Sequence, residues 1–145
     1  MKKRLRSNNS CVYKLQYHLV LTTKYRKKII SNEIKNDLIN KFNELLDTWD
    51  CKPLEINTDQ DHIHLLFEAH PSLQLSVLIN NLKTVTSRYI RKNYSAYLDQ
   101  FYWGTDSFWN KSYCLLSTGG ATIDVIKNYI QNQDHKSNSS ITKLL

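Results

Sequence analysis

Residues 59–67 read Asp-Gln-Asp-His-Ile-His-Leu-Leu-Phe, and this stretch decides how the chain folds. Successive side chains of a strand point to opposite faces of a sheet, so three apolar residues are predicted to face the core: Ile63, Leu65 and Phe67. His62 and His64 then share the other face. Two neutral imidazoles on rigid backbone suit a divalent metal, although surface or hydrogen-bonded histidines fit the same spacing.

The neighbouring segments extend this strand into a sheet. Residues 53–56 predict a second strand with Leu54 and Ile56 inward, and the polar residues 57–61 predict the turn of an antiparallel hairpin. Upstream, residues 12–22 alternate in the same way and predict a half-buried strand. A last strand region is predicted over residues 108–117.

Helical spacing predicts three helices around these strands. Ser31 or Asn32 caps the first, which runs to about residue 49. The second begins at Pro71-Ser72, and the stretch 94–107 that follows it is predicted to be irregular. The third covers residues 122–134. The β-α-β-β-α-β-α order predicts an α+β fold, a central antiparallel sheet with helices packed on its faces.

The last helix carries two polar side chains on one face. Tyr129 and Gln133 are four residues apart and therefore neighbours on the helix surface. Tyr129 fits a nucleophile-capable hydroxyl, and it also fits a half-buried structural tyrosine. Gly119 and Gly120 precede this helix and are predicted to be a hinge, because glycine has a wide backbone range; a plain turn is the alternative.

The chain length predicts a single domain. Of the 145 residues, 11–135 are assigned to this domain, which includes the mobile tyrosine helix 122–134. Residues 1–10 are predicted to be a flexible basic arm and residues 136–145 a polar tail. The basic start is followed by polar residues rather than an apolar segment, so no signal peptide is predicted.

Composition favours an anionic partner. The chain has 20 basic and 13 acidic residues, a net charge of +7, which suits nucleic acid first and a membrane surface second. With no run of about 18 apolar residues, no membrane span is expected. Cys11, Cys51 and Cys114 are odd in number and widely spaced, so no disulfide framework is predicted and a reducing cytoplasm fits.

Candidate nucleic-acid contacts lie in two places. The turn at residues 24–28 has four cations in five residues, and the second helix adds two more; the candidates are Lys24, Tyr25, Arg26, Lys27, Lys28, Lys83 and Arg88. The turn also fits a solvated loop. His18, His70 and His135 are interpreted as surface residues.

Two classes of function remain open on the residues alone. One is a metal-dependent nuclease or strand transferase that acts on DNA. The other is a binding module of the RNA-recognition type, with a basic sheet surface and no chemistry. The aromatic strand signature of RNA-recognition motifs is absent from the sequence, which weakens the second class.

Five features in order resemble one family. They are residues 17–20 (Tyr-His-Leu-Val) leading into 24–26 (Lys-Tyr-Arg), 58–64 (Thr-Asp-Gln-Asp-His-Ile-His), 107–110 (Ser-Phe-Trp-Asn), 117–121 (Ser-Thr-Gly-Gly-Ala) and 125–133 (Val-Ile-Lys-Asn-Tyr-Ile-Gln-Asn-Gln). Together they resemble the single-tyrosine HUH transposases of the IS200/IS605 insertion-sequence group. HUH denotes two histidines around a hydrophobic residue, and the resemblance covers about residues 11–135.

The resemblance implies a role for each matching residue. His62, His64 and Gln133 would bind a divalent metal, Mg²⁺ or Mn²⁺, and Tyr129 would be the nucleophile. The family fold is a ferredoxin-like or RRM-like HUH sheet. Family members bind hairpin ends of the element as single-stranded DNA, cut beside them through a 5′-phosphotyrosine and join them to target DNA, with no nucleotide cofactor.

The resemblance also implies an assembly. Family members are homodimers with composite active sites, and Gly119-Gly120 matches the link that lets the tyrosine helix reach the partner. The alternative is a non-catalytic or domesticated protein that binds single-stranded DNA or RNA hairpins and retains the same motifs.

Overall fold

The computed structural model describes residues 6–7, 12–103, 105–118 and 123–133, and the elements follow the predicted α+β order. The strands are β1 (Arg6–Ser7), β2 (Val12–Tyr13), β3 (Leu15–Thr22), β4 (Lys52–Thr58), β5 (His62–Ala69) and β6 (Cys114–Ser117). The helices are α1 (Asn32–Thr48), α2 (Leu75–Asn93), α3 (Ser95–Asp99) and α4 (Ile123–Asn132), and a 3₁₀ turn, Lys24–Arg26, follows β3. Among these helices, none is long and apolar enough to cross a membrane.

A four-stranded antiparallel sheet in the order β4-β5-β3-β6 forms the centre of the fold. β4 and β5 form the predicted hairpin. β3 pairs with β5 along its whole length, and this register sets Thr22 opposite His62 and Val20 opposite His64. Directly opposed residues of antiparallel strands have their side chains on the same face, so β3 supplies the neighbours of both histidines.

The main core lies on the face covered by α1 and α2. The three apolar residues of β5 predicted to point inward, Ile63, Leu65 and Phe67, are fully buried. The helices contribute the opposing side chains: Ile34, Leu38, Phe42, Leu46, Leu78, Ile79 and Leu82. Burying each large apolar side chain is worth about 1.5–3 kcal/mol, so this layer holds β5 rigidly behind the two histidines.

The other face of the sheet is covered by α4. Tyr129 packs against Val20 and Cys114, with Ile126 and Ile130 beside it. Helices therefore lie on both faces, as predicted, but the two faces differ in the side chains that they bury. The α1 and α2 side is the large apolar core, and the α4 side carries the polar groups of the candidate site.

The structure confirms the predicted start of the first helix and corrects that of the second. Ser31 is the cap of α1, because its side chain accepts a hydrogen bond from the Ile34 backbone N–H at 3.3 Å. The predicted start of α2 at Pro71-Ser72 is wrong, since α2 begins at Leu75 after a turn in which the Leu73 N–H donates to the His70 carbonyl. Proline fits a turn as well as the first position of a helix.

Other local predictions are also corrected. Leu54 is 40% exposed rather than inward, because the register of β4 shifts between Pro53 and Glu55 and breaks the alternation. The stretch predicted to be irregular contains α3, which is too short for a helical period to be read. The last strand region is paired as a strand only in Cys114–Ser117, with an isolated bridge between Thr23 and Trp109.

The predicted flexible arm is described only at Arg6–Ser7, which pairs antiparallel with Val12–Tyr13. The hinge residues Gly119 and Gly120 and the tail 136–145 lie outside the described residues.

Candidate active site

β5 places His62 and His64 together on the sheet face that is opposite the main core. Both side chains are half-buried, while the alternating residues behind them are fully buried. This is the arrangement that the sequence predicted for the HUH motif. Two imidazoles are thereby fixed on paired backbone rather than on a loop.

Asp61 orients the first of these histidines. Its Oδ1 lies 2.8 Å from His62 Nδ1, so that nitrogen donates to a carboxylate and Nε2 is the ring nitrogen that could bind a metal. Burial alone would raise the pKa of Asp61, but hydrogen bonds from His62 and Arg26 outweigh burial and lower it. The carboxyl group is therefore ionised at neutral pH, the state that supports a metal-binding imidazole.

His64 is paired with a histidine that the sequence reading placed at the surface. His18 Nδ1 lies 2.7 Å from His64 Nε2, and the two rings stack with centroids 4.9 Å apart. The surface interpretation of His18 is thus wrong, because β3 presents it on the same sheet face. Burial lowers the pKa of both imidazoles, which favours the neutral form that binds metals. His70 is half-buried, and His135 lies outside the described residues.

Tyr129 lies fully buried between α4 and the sheet. Its hydroxyl is 3.4 Å from Ser112 Oγ. Burial raises the pKa of Tyr129 to about 12, which the Ser112 hydrogen bond only partly opposes. The side chain packs on Val20, the residue opposite His64 in the sheet, so the predicted nucleophile and the HUH motif share one face.

The side-chain amide of Gln133 is hydrogen-bonded by Asn110 and Ser112, which follow Trp109 in the chain. Its Oε1 accepts hydrogen bonds from Asn110 Nδ2 and from Ser112 Oγ, the latter at 3.3 Å. Sequence reasoning assigned no role to Asn110 or Ser112. Asn110 lies within the 107–110 feature that carries the family resemblance, and this feature could have identified it as a site residue. No sequence feature identified Ser112.

Arg26 connects the basic turn to both sides of the site. Its guanidinium donates to Asp61 Oδ2 at 3.0 Å from Nε and to the Ile130 carbonyl at 2.7 Å from Nη1. The side chains of Arg26 and Asp61 are 17% and 9% exposed. Arg26 was predicted as a nucleic-acid contact, and in this structure its charge is directed inward.

The donor set at this face fits a divalent metal through His62, His64 and the Gln133 amide. Within the described ranges, no group of three His, Cys, Asp or Glu side chains could hold a metal ion. The carboxylate behind His62 is an arrangement typical of metal-binding histidines. His64 Nε2 and Gln133 Oε1 both take part in side-chain hydrogen bonds, which would have to break before either atom could bind a metal.

The other predicted nucleic-acid contacts fall in two surfaces. Tyr25 is 73% exposed, and Lys27 and Lys28 are exposed beside it. Lys83 and Arg88 line a groove of about 580 Å³ between α2 and residues 106–109. Burial lowers the pKa of Lys83, whose Nζ donates to the Lys111 carbonyl at 2.7 Å.

Comparison with known sequences identifies relatives with matching length. A sequence model of the family described as "Transposase IS200 like" matches residues 11–133. The chain is 28% identical over 132 residues to the ISDra2 transposase TnpA of Deinococcus radiodurans, covering 91% of this chain and 93% of that protein. It is 26% identical over 118 residues to the transposase for insertion sequence element IS200 of Salmonella typhimurium, covering 81% and 76%.

Solved structures agree with the sequence relatives. A crystal structure of a Deinococcus radiodurans R1 protein assigned as a transposase superposes with a TM-score of 0.81 at 30% identity, over 88% of this chain and 97% of that chain. A REP-associated tyrosine transposase bound to a REP hairpin shares the fold, with a TM-score of 0.50 at 11% identity, over 92% and 76%. The matched range spans His62, His64, Tyr129 and Gln133, and the chain belongs to the IS200-like transposase family.

Proposed function

We propose that this protein is a DNA transposase that binds the hairpin ends of an insertion sequence as single strands and cuts and rejoins them through Tyr129. The observation that carries the proposal is the position of α4, which packs Tyr129 on the sheet face that bears His62 and His64. Phosphodiester exchange needs a nucleophilic hydroxyl and side chains that can bind a divalent metal, and both are present on this face.

The proposed reaction is a pair of transesterifications. The Tyr129 oxygen forms a bond to phosphorus as the bond from phosphorus to the DNA 3′ oxygen breaks. The phenol loses its proton, the 3′ oxygen gains one, and a 5′-phosphotyrosine results. A DNA 3′-hydroxyl then attacks that phosphorus and restores the phenol. Each phosphorus–oxygen bond that breaks is replaced by another, so no nucleotide cofactor is required.

The burial of Tyr129 sets two conditions for this reaction. With a pKa of about 12, the phenol is protonated at neutral pH and must lose its proton as it attacks. Ser112 Oγ lies 3.4 Å from the phenol oxygen, close enough for a hydrogen bond in either direction. Because Tyr129 is fully buried, α4 must also shift from the sheet before a DNA phosphate can reach the hydroxyl.

His62, His64 and Gln133 would hold the divalent ion, Mg²⁺ or Mn²⁺, whose charge would offset that of the phosphoryl oxygens. Imidazole ligands favour Mn²⁺ over Mg²⁺, so Mn²⁺ is expected to bind more tightly. Asp61 keeps the His62 Nδ1 protonated and its ring oriented. Gln133 would arrive with Tyr129, because it directly follows α4 and its backbone N–H donates to the Tyr129 carbonyl at 3.2 Å.

Hairpin DNA is the proposed partner. The REP-associated tyrosine transposase that shares this fold is bound to a hairpin, and the net charge of +7 favours a nucleic-acid ligand here. Phosphate contacts are proposed for the exposed cations of the basic turn, Lys27 and Lys28, and for Lys83 and Arg88 in the groove. Exposed Tyr25 would stack on an unpaired base.

A homodimer with composite active sites is proposed as the working assembly. In this structure α4 packs on its own sheet, so a composite site requires α4 to leave and dock on the partner. Mixing Tyr129→Phe protein with His62→Ala protein tests this. Cleavage recovered in the mixture supports composite sites, whereas an inactive mixture of folded dimers contradicts them.

A non-catalytic hairpin-binding protein is the second candidate, and the full burial of Tyr129 is the observation that favours it. A gel assay for covalent protein–DNA adducts separates the two. Wild type and Tyr129→Phe are mixed with single-stranded hairpin oligonucleotides from the element ends, with Mn²⁺ or with chelator. A metal-dependent adduct that disappears in Tyr129→Phe supports the transposase, and hairpin binding without any adduct supports the second candidate.

A further inference from the structure

The guanidinium of Arg26 contacts two separate parts of the candidate site at once. On one side, Nε and Nη2 lie 3.0 and 2.9 Å from Asp61 Oδ2. On the other side, Nη1 donates to the carbonyl oxygen of Ile130 at 2.7 Å and approaches that of Gln131 at 3.4 Å. These carbonyls belong to the last turn of α4, which carries the negative end of the helix dipole.

Asp61 passes this connection on to the HUH motif. One carboxylate oxygen is bound by Arg26 and the other by His62 Nδ1. A chain of charge-assisted hydrogen bonds therefore runs from the end of the tyrosine helix through Arg26 and Asp61 to the first histidine. The fork of the guanidinium allows one side chain to serve both acceptors, which a lysine ammonium cannot do in the same geometry.

The backbone of the turn directs Arg26 inward at a conformational cost. Tyr25 and Arg26 have φ of 59° and 50°, a left-handed conformation that non-glycine residues avoid. The surrounding structure enforces it, since the Thr23 hydroxyl donates to the Lys27 carbonyl and the Tyr102 hydroxyl to the Lys24 carbonyl. Backbone strain maintained in this way is typical of functional sites.

We propose that Arg26 is a positioning residue that couples the docking of α4 to the orientation of His62, an inference that rests on the proposed roles of Tyr129 and His62. When α4 lies on the sheet, its last carbonyls and Asp61 together satisfy the guanidinium, so His62 is oriented while Tyr129 stays buried. When α4 leaves, Arg26 loses those carbonyl acceptors and its hold on Asp61 loosens. The exposed cations of the turn remain for DNA.

Arg26→Gln and Arg26→Lys test the coupling, with Lys28→Gln as the matched control. Lys28→Gln removes the same charge from the same turn, at an exposed side chain. Hydrogen exchange of the α4 amides is measured in protein free of DNA and metal. Loss of charge-assisted bonds predicts exchange about tenfold faster in both Arg26 variants, with α1 and α2 unchanged. Lys28→Gln is expected to match wild type. Arg26→Lys retains a positive charge beside Asp61, so this variant is expected to stay folded and to report on the lost hydrogen bonds alone.

The second measurement reports on His62. Nitrogen NMR of the imidazole follows its Nδ1 hydrogen bond to Asp61, and a resonance shift is expected in Arg26→Gln and not in Lys28→Gln. Wild-type exchange of α4 in both Arg26 variants would overturn the inference, and so would a loosened α4 with unchanged His62 resonances. Both measurements use protein without DNA. They are therefore independent of the adduct assay, whose failure would count against the proposed function alone.

Discussion

Replacing Arg88 by glutamine is expected to weaken hairpin binding in a way that depends on salt. Arg88 is exposed on α2 and lines the groove of about 580 Å³ together with Lys83 and Arg91. The other two cations already donate within the protein, Lys83 to the Lys111 carbonyl and Arg91 to Asp99, so a phosphate contact from either must compete with these bonds. Arg88 is thus the groove cation best placed to contact a DNA phosphate.

The size of the effect follows from one lost phosphate contact. A single contact contributes a slope of about 0.7 to the fall of log affinity with log salt for single strands, and about 0.9 for duplex DNA. Over a fourfold rise in salt, wild type should therefore lose about threefold more affinity than Arg88→Gln. The difference between the two proteins is expected to shrink steadily as salt rises.

Fluorescence anisotropy of a labelled hairpin oligonucleotide across a salt series measures both slopes. Arg88→Lys keeps the charge and is expected to retain the wild-type slope. Lys35→Gln removes one charge from an exposed position on α1 outside the groove, and it should also leave the slope unchanged. Equal slopes for wild type and Arg88→Gln, or an equal reduction in Lys35→Gln, would refute the assignment of this contact to the groove.

Three further predictions concern stability. Phe42→Ala, at a fully buried core position, should lower the free energy of unfolding by about 3–5 kcal/mol in denaturant titration. Trp109→Phe removes the buried indole N–H bond to the Thr86 hydroxyl at 2.9 Å and should cost about 1–3 kcal/mol in the same assay, whereas a neutral result would contradict this. Burial raises the pKa of Tyr129 to about 12, above its usual 10.0, so stability present below pH 10 should be lost as pH approaches 12. Tyr129→Phe is expected to flatten that alkaline loss, and denaturant titrations with the same slope against pH in both proteins would count against it.

The features that could be predicted from the sequence are those set by local geometry. The alternation in β5 fixes which residues face the core, and the four-residue spacing fixes that Tyr129 of α4 and Gln133, just after it, share a face. Ser31 caps α1 through a contact three residues away. Where a local rule has two outcomes, the prediction was wrong: a register shift turned Leu54 outward, and Pro71 began a turn rather than a helix.

The polar connections of the site depend instead on which distant segments meet. His18 and His64 are 46 residues apart and meet only because β3 pairs with β5 in one register. Arg26 illustrates the same limit for charge. Four cations in five residues correctly predict a positive surface at the exposed Lys27 and Lys28, but composition cannot show that Arg26 is bound 104 residues away at Ile130. Arg26 points inward because Tyr25 and Arg26 adopt left-handed backbone conformations, and no glycine in the turn signals them. The turn that the sequence predicts as a DNA contact therefore also links the tyrosine helix to the HUH strand.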